Sequence, residues 1–137
     1  MANLTQTPAN VGVGDSKSKL RSVTAGEAIT QGMPVYESAG KWYQCDANVQ
    51  AASQATAIAQ SSASGDGAFF NISEGAGALI NLGATLAVGE TYVVSRTKGA
   101  ICPIGDLTSG DYPCVLGGAT TTSLIKTVFY YSGAAKP

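Results

Sequence analysis

The chain has 137 residues, of which 45% are hydrophobic and only 12% are charged, and it contains no histidine. Soluble domains carry about 25% charged residues, so the low charge indicates a surface that neighbouring subunits cover. The formal net charge of −1 excludes the basic footprint of a protein that binds nucleic acid or an anionic membrane. No apolar run reaches the roughly 18 residues of a transmembrane segment, so we expect neither nucleic acid nor membrane among the partners.

The N-terminal stretch, residues 1–18, is polar and small and shows no sustained periodicity. We interpret it as an extended, weakly ordered arm, which either frays or becomes ordered against a partner. It also lacks the basic start and the apolar run of a signal peptide, so we expect the chain to fold in a cytoplasm. The remaining residues, 19–137, have the length of a single β-domain.

Three cations alternate around the end of this arm, at Lys17, Lys19 and Arg21. Alternate residues of a strand share a face, so the pattern predicts three positive charges on one side of a strand and Ser18, Leu20 and Ser22 on the other. Lysines at this spacing protect an exposed sheet edge from aggregation, and they would equally suit an acidic patch on a partner protein. These three cations are the candidate partner-binding residues.

Two stretches predict β-hairpins of the same kind. The first has strands at 33–37 and 42–45, and the second has strands at 91–95 and 100–104. Aligning Gly32 with Gly89 superimposes the two hairpins and indicates a weak internal repeat. Two unrelated hairpins in an all-β protein would give the same pattern.

The segment after the first hairpin, residues 46–54, predicts a short helix or an irregular crossover. Residues 55–62 predict a strand with Ile58 on one face and Ala57 and Ala59 on the other. A turn at residues 64 to 67 joins that strand to an aromatic one and predicts a further hairpin.

The later strands complete the pattern. Residues 78–82 predict a short strand that is buried on both faces, and residues 123–131 predict the longest strand, with Ile125 and Thr127 on the same face. Many short strands with glycine-rich turns are typical of an antiparallel β-sandwich or β-barrel. We therefore predict an all-β domain of short strands and hairpins with an extended N-terminal arm.

The side chains that usually carry catalysis are missing. Without histidine, the commonest general base and the commonest metal ligand are absent. Cys45, Cys102 and Cys114 lack zinc spacing and suit buried positions, although Cys102 and Cys114 flank one loop and could pair. Asp106 and Asp111 share that loop and could hold calcium or be solvated. We expect no enzyme, no catalytic residues, no cofactor and no metal site.

The hairpin regions resemble small structural proteins of tailed bacteriophages. The similarity begins with AGEAITQGMPVY at residues 25–36, followed by GKWY at 40–43. It continues through LGATL at 82–86, GETYVVS at 89–95, GAICP at 99–103 and SGDY at 109–112. The resemblance covers residues 25–131. Its motifs describe turns and strands, so no binding residue is carried over.

This resemblance implies a virion protein. Proteins of this kind occur as capsid decoration, or cement, proteins, often trimeric, and as parts of head or tail fibres. We expect a homotrimer that assembles in the host bacterial cytoplasm, binds the major capsid protein on the outer head surface and stabilises contacts between capsomers. The alternative is a head- or tail-fibre or receptor-binding module that recognises host surface glycans through Trp42 and Tyr43. A third possibility, a cellular carbohydrate-binding domain, would be expected to carry a signal peptide.

Overall fold

The structure, a computed structural model, describes residues 3–15, 17 and 19–137, and in these ranges eleven strands form two antiparallel sheets. In chain order the strands are β1 Val11–Val13, β2 Lys19–Thr24, β3 Pro34–Ser38, β4 Lys41–Gln44, β5 Ala57–Ala59, β6 Phe69–Glu74, β7 Leu79–Leu82, β8 Thr91–Val94, β9 Ile101–Pro103, β10 Cys114–Ala119 and β11 Leu124–Tyr131. The six-stranded sheet has the order β1-β7-β11-β10-β8-β9, and the five-stranded sheet has the order β2-β6-β5-β3-β4. The sheets pack as a sandwich and do not close into a barrel, so the all-β prediction is confirmed in its sandwich form.

The two sheets repeat one topology. Strands β2 to β6 pair in the order 2-6-5-3-4, and strands β7 to β11 pair in the order 7-11-10-8-9, which is the same arrangement displaced by five strands. Tyr36, which aligns with Val93, opposes Tyr43 in the first hairpin, and Val93 opposes Cys102 in the second hairpin, whose turn is longer. The hairpin repeat that the sequence predicts is therefore the centre of a five-strand repeat, and β1 is the additional strand.

The entry to each hairpin is built in the same way. Gly32 donates its backbone N–H to the Ala59 carbonyl at 2.8 Å, and Gly89 donates to the Ala119 carbonyl at 2.9 Å. Both glycines have a positive φ, +99° and +86°, which a residue without a side chain adopts at little cost. This shared turn explains why the two glycines align in the sequence.

Two hydrophobic clusters stabilise the sandwich. The first contains buried side chains from both sheets, among them Ile58, Val93 and Ile125. The second belongs to the five-stranded sheet and includes Ala57 and Ala59. The predicted alternation on β5 is therefore confirmed, because neighbouring residues of this strand enter different clusters.

Two other predictions for single elements have different outcomes. The longest strand is β11, as expected, and Ile125 and Thr127 are both buried on it. The prediction that residues 78–82 are buried on both faces is wrong, because Leu79 and Asn81 lie on a face of β7 that is only partly covered. The segment 46–54 contains a single turn of 3-10 helix, at Gln50–Ala52, and is otherwise irregular.

The N-terminal arm is docked on the sandwich. Leu4 donates its backbone N–H to the Ile101 carbonyl at 2.8 Å, Thr7 donates to the Gly83 carbonyl at 2.7 Å, and β1 pairs antiparallel with β7. The expectation of a weakly ordered arm is therefore wrong for residues 3–15, because the sheet edges at β7 and β9 supply its backbone partners. The prediction for residues 1, 2, 16 and 18 lies outside the described residues.

The arm also completes the second repeat. In the first repeat, Gly26 donates its backbone N–H directly to the Trp42 carbonyl. Gly83 and Ile101 occupy the equivalent positions in the second repeat. There the Ile101 carbonyl accepts from the Leu4 N–H of the arm, and the Gly83 N–H donates instead to Asn81 Oδ1. The arm therefore supplies the Ile101 carbonyl with the donor that Gly26 supplies to the Trp42 carbonyl in the first repeat.

Candidate partner-binding surface

The strand β2 forms one edge of the five-stranded sheet, and half of its backbone groups point away from the sheet. Asn71 of β6 directs its backbone towards β5, because its N–H donates to Ser61 Oγ and its carbonyl accepts from the Gln60 N–H, both at 2.8 Å. The N–H and C=O of one residue in an antiparallel strand point to the same side. Ser22 lies opposite Asn71, so this is a non-hydrogen-bonded pair and the Ser22 backbone points outward, as does that of Leu20.

This edge is open along β2 and closed after it. Ala25 forms a parallel bridge with Trp42, and Gly26 donates its N–H to the Trp42 carbonyl. In this parallel alignment Ala25 lies beside Trp42, and β4 begins only one residue earlier, at Lys41. The residues of β2 that precede Thr24 therefore have no residue of β4 beside them. Within the described residues, no strand covers the edge of β2 at residues 19–22.

The structure brings two of the three candidate cations together. Lys19 and Arg21 lie on the face of β2 that also carries the buried Val23. Lys17 lies in a turn before the strand, where its backbone N–H donates to Asp15 Oδ1 at 3.1 Å. Lys17 therefore does not share the strand face that the alternation predicts.

Arg21 has partners within the chain. Its Nε donates to Glu74 Oε2 at 2.6 Å, and its guanidinium carbon lies 5.6 Å from the centre of the Trp42 ring. The hydrogen bond and the charge of Glu74 raise the pKa of Arg21, and Glu37 adds to this effect. Arg21 also lies opposite Ile72 of the second hydrophobic cluster, so its side chain covers the rim of that cluster.

Lys17 and Lys19 carry the remaining positive charge. Both are exposed, and neither forms an ion pair with any residue that the structure describes. Lys19 lies opposite Glu74 in the register of β2 and β6, but the Glu74 carboxylate is bonded to Arg21. The two lysines are therefore available to a carboxylate from outside the chain.

The opposite face of the same two strands exposes large apolar side chains, which the sequence reasoning did not identify. Leu20 is 60% exposed and Phe69 is 76% exposed. Between them on this face lie Ser22 and Asn71, which oppose each other. The adjacent phenylalanines at 69 and 70 were the available signal, because neighbouring residues of a strand point to opposite faces. We call Lys17, Lys19, Leu20, Ser22 and Phe69 the β2 edge surface.

The aromatic residues proposed for sugar stacking are placed differently. Trp42 is 3% exposed and belongs to the second hydrophobic cluster, so the expectation that it stacks on a sugar ring is wrong. Tyr43 is half-buried, with its ring centre 5.8 Å from that of Tyr36. The physical reason is strand alternation, which places Trp42 on the face of β4 that packs in the second hydrophobic cluster and Tyr43 on the opposite face.

The cysteines are three separate buried thiols, so Cys102 and Cys114 do not pair. Burial raises the pKa of both thiols to about 11, and it raises that of Cys45 well above its ordinary value. Cys114 Sγ accepts a hydrogen bond from the Ala55 N–H at 3.3 Å. These thiols pack as small apolar groups.

The side chain of Asp111 forms hydrogen bonds within the loop that joins β9 to β10. Asp111 is buried, and its Oδ2 accepts from the Thr108 N–H at 2.8 Å and from the Thr108 hydroxyl at 3.2 Å. Its Oδ1 lies 3.7 Å from Arg96 Nε. In the described ranges, Asp106 and Asp111 join no group of three or more acidic, cysteine or histidine side chains that could hold a metal ion.

Two concave regions complete the surface. A polar cavity of about 530 Å³ lies beside the arm and is lined by hydroxyl and amide side chains, among them Thr5, Thr7, Asn81 and Thr122. An apolar groove of about 400 Å³ lies along β10 and β11 beside Val128. In the part of the chain that the structure describes, no helix is long and apolar enough to cross a membrane.

No family model matches the chain, and neither a curated protein nor a solved structure is significantly similar to it. The β2 edge surface presents outward backbone groups, two cations without ion-pair partners in the described residues and two exposed apolar side chains. Backbone, charged and apolar contacts of these kinds occur together in protein–protein interfaces.

Proposed function

We propose that the protein is a bacteriophage capsid decoration, or cement, protein that binds the outer head surface and stabilises contacts between capsomers. The observation that carries this proposal is the β2 edge surface, where Lys19 and Leu20 lie on an open sheet edge and Phe69 is exposed on the neighbouring strand. Open sheet edges and exposed large apolar side chains are both features of interaction sites. The resemblance of residues 25–131 to small structural proteins of tailed phages supports the choice of a capsid as the partner.

In this proposal the direct partner is the major capsid protein, and the protein acts on the virion after assembly in the host bacterial cytoplasm. A shell presents many identical sites, so several weak contacts from one oligomer add up to strong attachment. This arrangement suits a small domain whose charged fraction is only 12%, because copies and capsid together cover the surface.

A homotrimer is part of the same proposal. A closed ring needs two different patches on each copy that fit one another. Besides the β2 edge surface, β11 exposes Val128 and Tyr130 on the outer face of the other sheet. In the proposed trimer the β11 patch of one copy contacts a different part of the next copy, outside the β2 edge surface, which stays available to the capsid.

Cosedimentation with undecorated phage capsids tests the proposal. The wild-type protein should pellet with the capsids, and Phe69→Ser should weaken attachment by about tenfold, since it removes an apolar side chain that the capsid would cover. Val88→Ser is the matched control, because Val88 is an exposed apolar residue in a turn outside both patches. Failure of the wild-type protein to bind capsids of its own phage, or equal binding by Phe69→Ser, would contradict the proposal.

The second candidate is a head- or tail-fibre or receptor-binding module that recognises host surface glycans. The polar cavity favours it, because uncharged hydroxyl and amide groups such as those of Thr7, Asn81 and Thr122 suit hydrogen bonding to neutral sugars. Binding of the purified protein to host cells, lost in Asn81→Ala and retained in Phe69→Ser, would support this candidate over capsid decoration.

A further inference from the structure

We infer that the β2 edge accepts an added β-strand, and that the occupant is an extended segment of the partner in which carboxylate and apolar side chains alternate. The inference rests on the proposed function in one respect, which is that the partner is the capsid protein. Strand addition joins a peptide to a free sheet edge through backbone hydrogen bonds, and alternate side chains supply specificity. Each part of this arrangement is present at β2.

The backbone hydrogen bonds to an added strand would come from the N–H and C=O groups of Leu20 and Ser22, which point away from the sheet. Because Asn71 and Ser73 of β6 direct their backbones towards β5, the residues opposite them in β2 are left with outward N–H and C=O groups. Both residues are exposed. An incoming strand would find two donors and two acceptors in the spacing of a sheet ladder.

The other sheet edges offer less to such a segment. Residues 25 and 26 lie against β4, and Leu4 bonds to β9 at the Ile101 carbonyl. The edge at β1 is three residues long, and its Val11 carbonyl already accepts from Gln31 Nε2 at 3.0 Å. The edge of β2 is thus the longest one that the described part of the chain leaves open.

The charges on β2 select the occupant. In a second copy paired edge to edge, Lys19 and Arg21 would face the same cations across the new ladder, and like charges opposite each other destabilise a sheet. A partner segment with carboxylates on this face would instead meet Lys19, which has no ion-pair partner among the described residues. Arg21 keeps its contact with Glu74, so Lys19 supplies most of the selectivity.

The other face of the added strand meets apolar surface. Leu20 lies on that face at 60% exposure, and Phe69 lies on the neighbouring strand at 76%. A valine or isoleucine of the incoming segment would cover Leu20, since side chains two residues apart line one face. The occupant therefore alternates between acidic and apolar residues, in register with Lys19 and Leu20.

The probe is a capped synthetic peptide that alternates glutamate and valine, added at about 1 mM because a single short strand binds weakly. Amide hydrogen exchange of the full-length protein gives the readout at single residues. The Leu20 and Ser22 amides should exchange about tenfold more slowly with the peptide, because they gain hydrogen bonds. The Arg21 amide should change little, because it already faces β6.

Two further peptides serve as controls. One has the same composition with its glutamates grouped, and the other alternates lysine and valine. Neither should protect Leu20 or Ser22. Protection by the lysine peptide equal to that by the glutamate peptide would overturn the charge selection, and absence of protection by the glutamate peptide would overturn strand addition.

Ser22→Pro removes the outward N–H, and proline is tolerated in an edge strand where the N–H faces solvent. This variant should lose the peptide-induced protection of Leu20, whereas Ser22→Ala should keep it. If Ser22→Pro does not fold, Lys19→Glu replaces it and should lose the protection by the glutamate peptide.

The same variants separate this inference from the proposed function. Capsid binding by the wild-type protein together with equal binding by Ser22→Pro, or by Lys19→Glu if Ser22→Pro does not fold, would overturn strand addition and leave the decoration role standing. Peptide-induced protection of Leu20 without any capsid binding would overturn the decoration role and leave the strand-addition site.

Discussion

The side chain of Gln6 joins the carbonyl oxygens of Gly32 and Leu82, which belong to different repeats, through its Nε2 at 3.0 and 2.9 Å. One amide group thus links the turn before β3 to the end of β7. Both carbonyls are in buried residues, and a buried carbonyl that loses its donor is destabilising. The arm therefore holds the two repeats together as well as adding a strand.

Gln6→Ala should accordingly lower the free energy of unfolding by about 2 kcal/mol, as expected when two hydrogen bonds to buried carbonyls are lost. Urea unfolding followed by tryptophan fluorescence measures this change. Thr5→Ala is the control, because Thr5 is exposed on the same arm, and it should change the stability by less than about 0.5 kcal/mol. Equal stability of the two variants would show that the Gln6 link contributes nothing.

Gly117 and Gly118 give a second matched pair. A Cβ at Gly117 would collide with the Lys126 carbonyl oxygen of β11, whereas a Cβ at Gly118 would meet nothing closer than the Glu90 carbonyl oxygen at 3.9 Å. Gly117→Ala should therefore destabilise the protein by about 3 kcal/mol, since the collision is with backbone. Gly118→Ala should be close to neutral, and thermal unfolding of both variants compares them directly.

The hairpin of β3 and β4 carries an unfavourable residue in its turn. Ala39 has a φ of +53° and Gly40 a φ of +83°, which is the geometry of a type I′ turn. Asparagine adopts this conformation more readily than alanine, so Ala39→Asn should raise the stability by about 0.5 kcal/mol. Gly40→Ala should lower it by about 1 kcal/mol for the opposite reason. A lower melting temperature for Ala39→Asn would contradict the turn assignment.

The buried thiols make the stability depend on alkaline pH. Burial raises the pKa of Cys102 and Cys114 from 9.0 to about 11. The folded state therefore holds these protons more tightly than the unfolded state, so the contribution to stability is complete below about pH 9 and is lost as the pH rises towards 11. The urea concentration at the unfolding midpoint should decrease as the pH is raised from about 8 to about 10.5. The decrease should be smaller in a Cys102→Ala, Cys114→Ala double variant.

The same shift makes the thiols unreactive. At pH 8 the thiolate population of each is about a hundredfold lower than in an exposed cysteine, because the pKa is about two units higher. Alkylation of the native protein by iodoacetamide should be correspondingly slow and should become fast in concentrated guanidinium chloride. Rapid labelling of the native protein would contradict the burial of these thiols.

Several local features could be predicted from the sequence because short-range chemistry determines them. The glycines at 32 and 89, with the turn residues that follow them, predicted both hairpins, since a positive φ needs no tertiary partner. The alternation in residues 123–131 predicted that Ile125 and Thr127 share a face, because a strand repeats every two residues, and both residues are buried. From such signals the all-β class followed.

The tertiary structure alone decided which of these strands are neighbours and which faces are covered. Trp42 is buried because its face of β4 packs in the second hydrophobic cluster, and Arg21 has a partner because β6 places Glu74 next to it. The arm is ordered because edges formed by residues about 80 and 100 positions away accept its backbone bonds. The open edge at Leu20 and Ser22 depends on the direction of the Asn71 backbone. That direction is set by pairing between distant strands, so it cannot be predicted from the sequence.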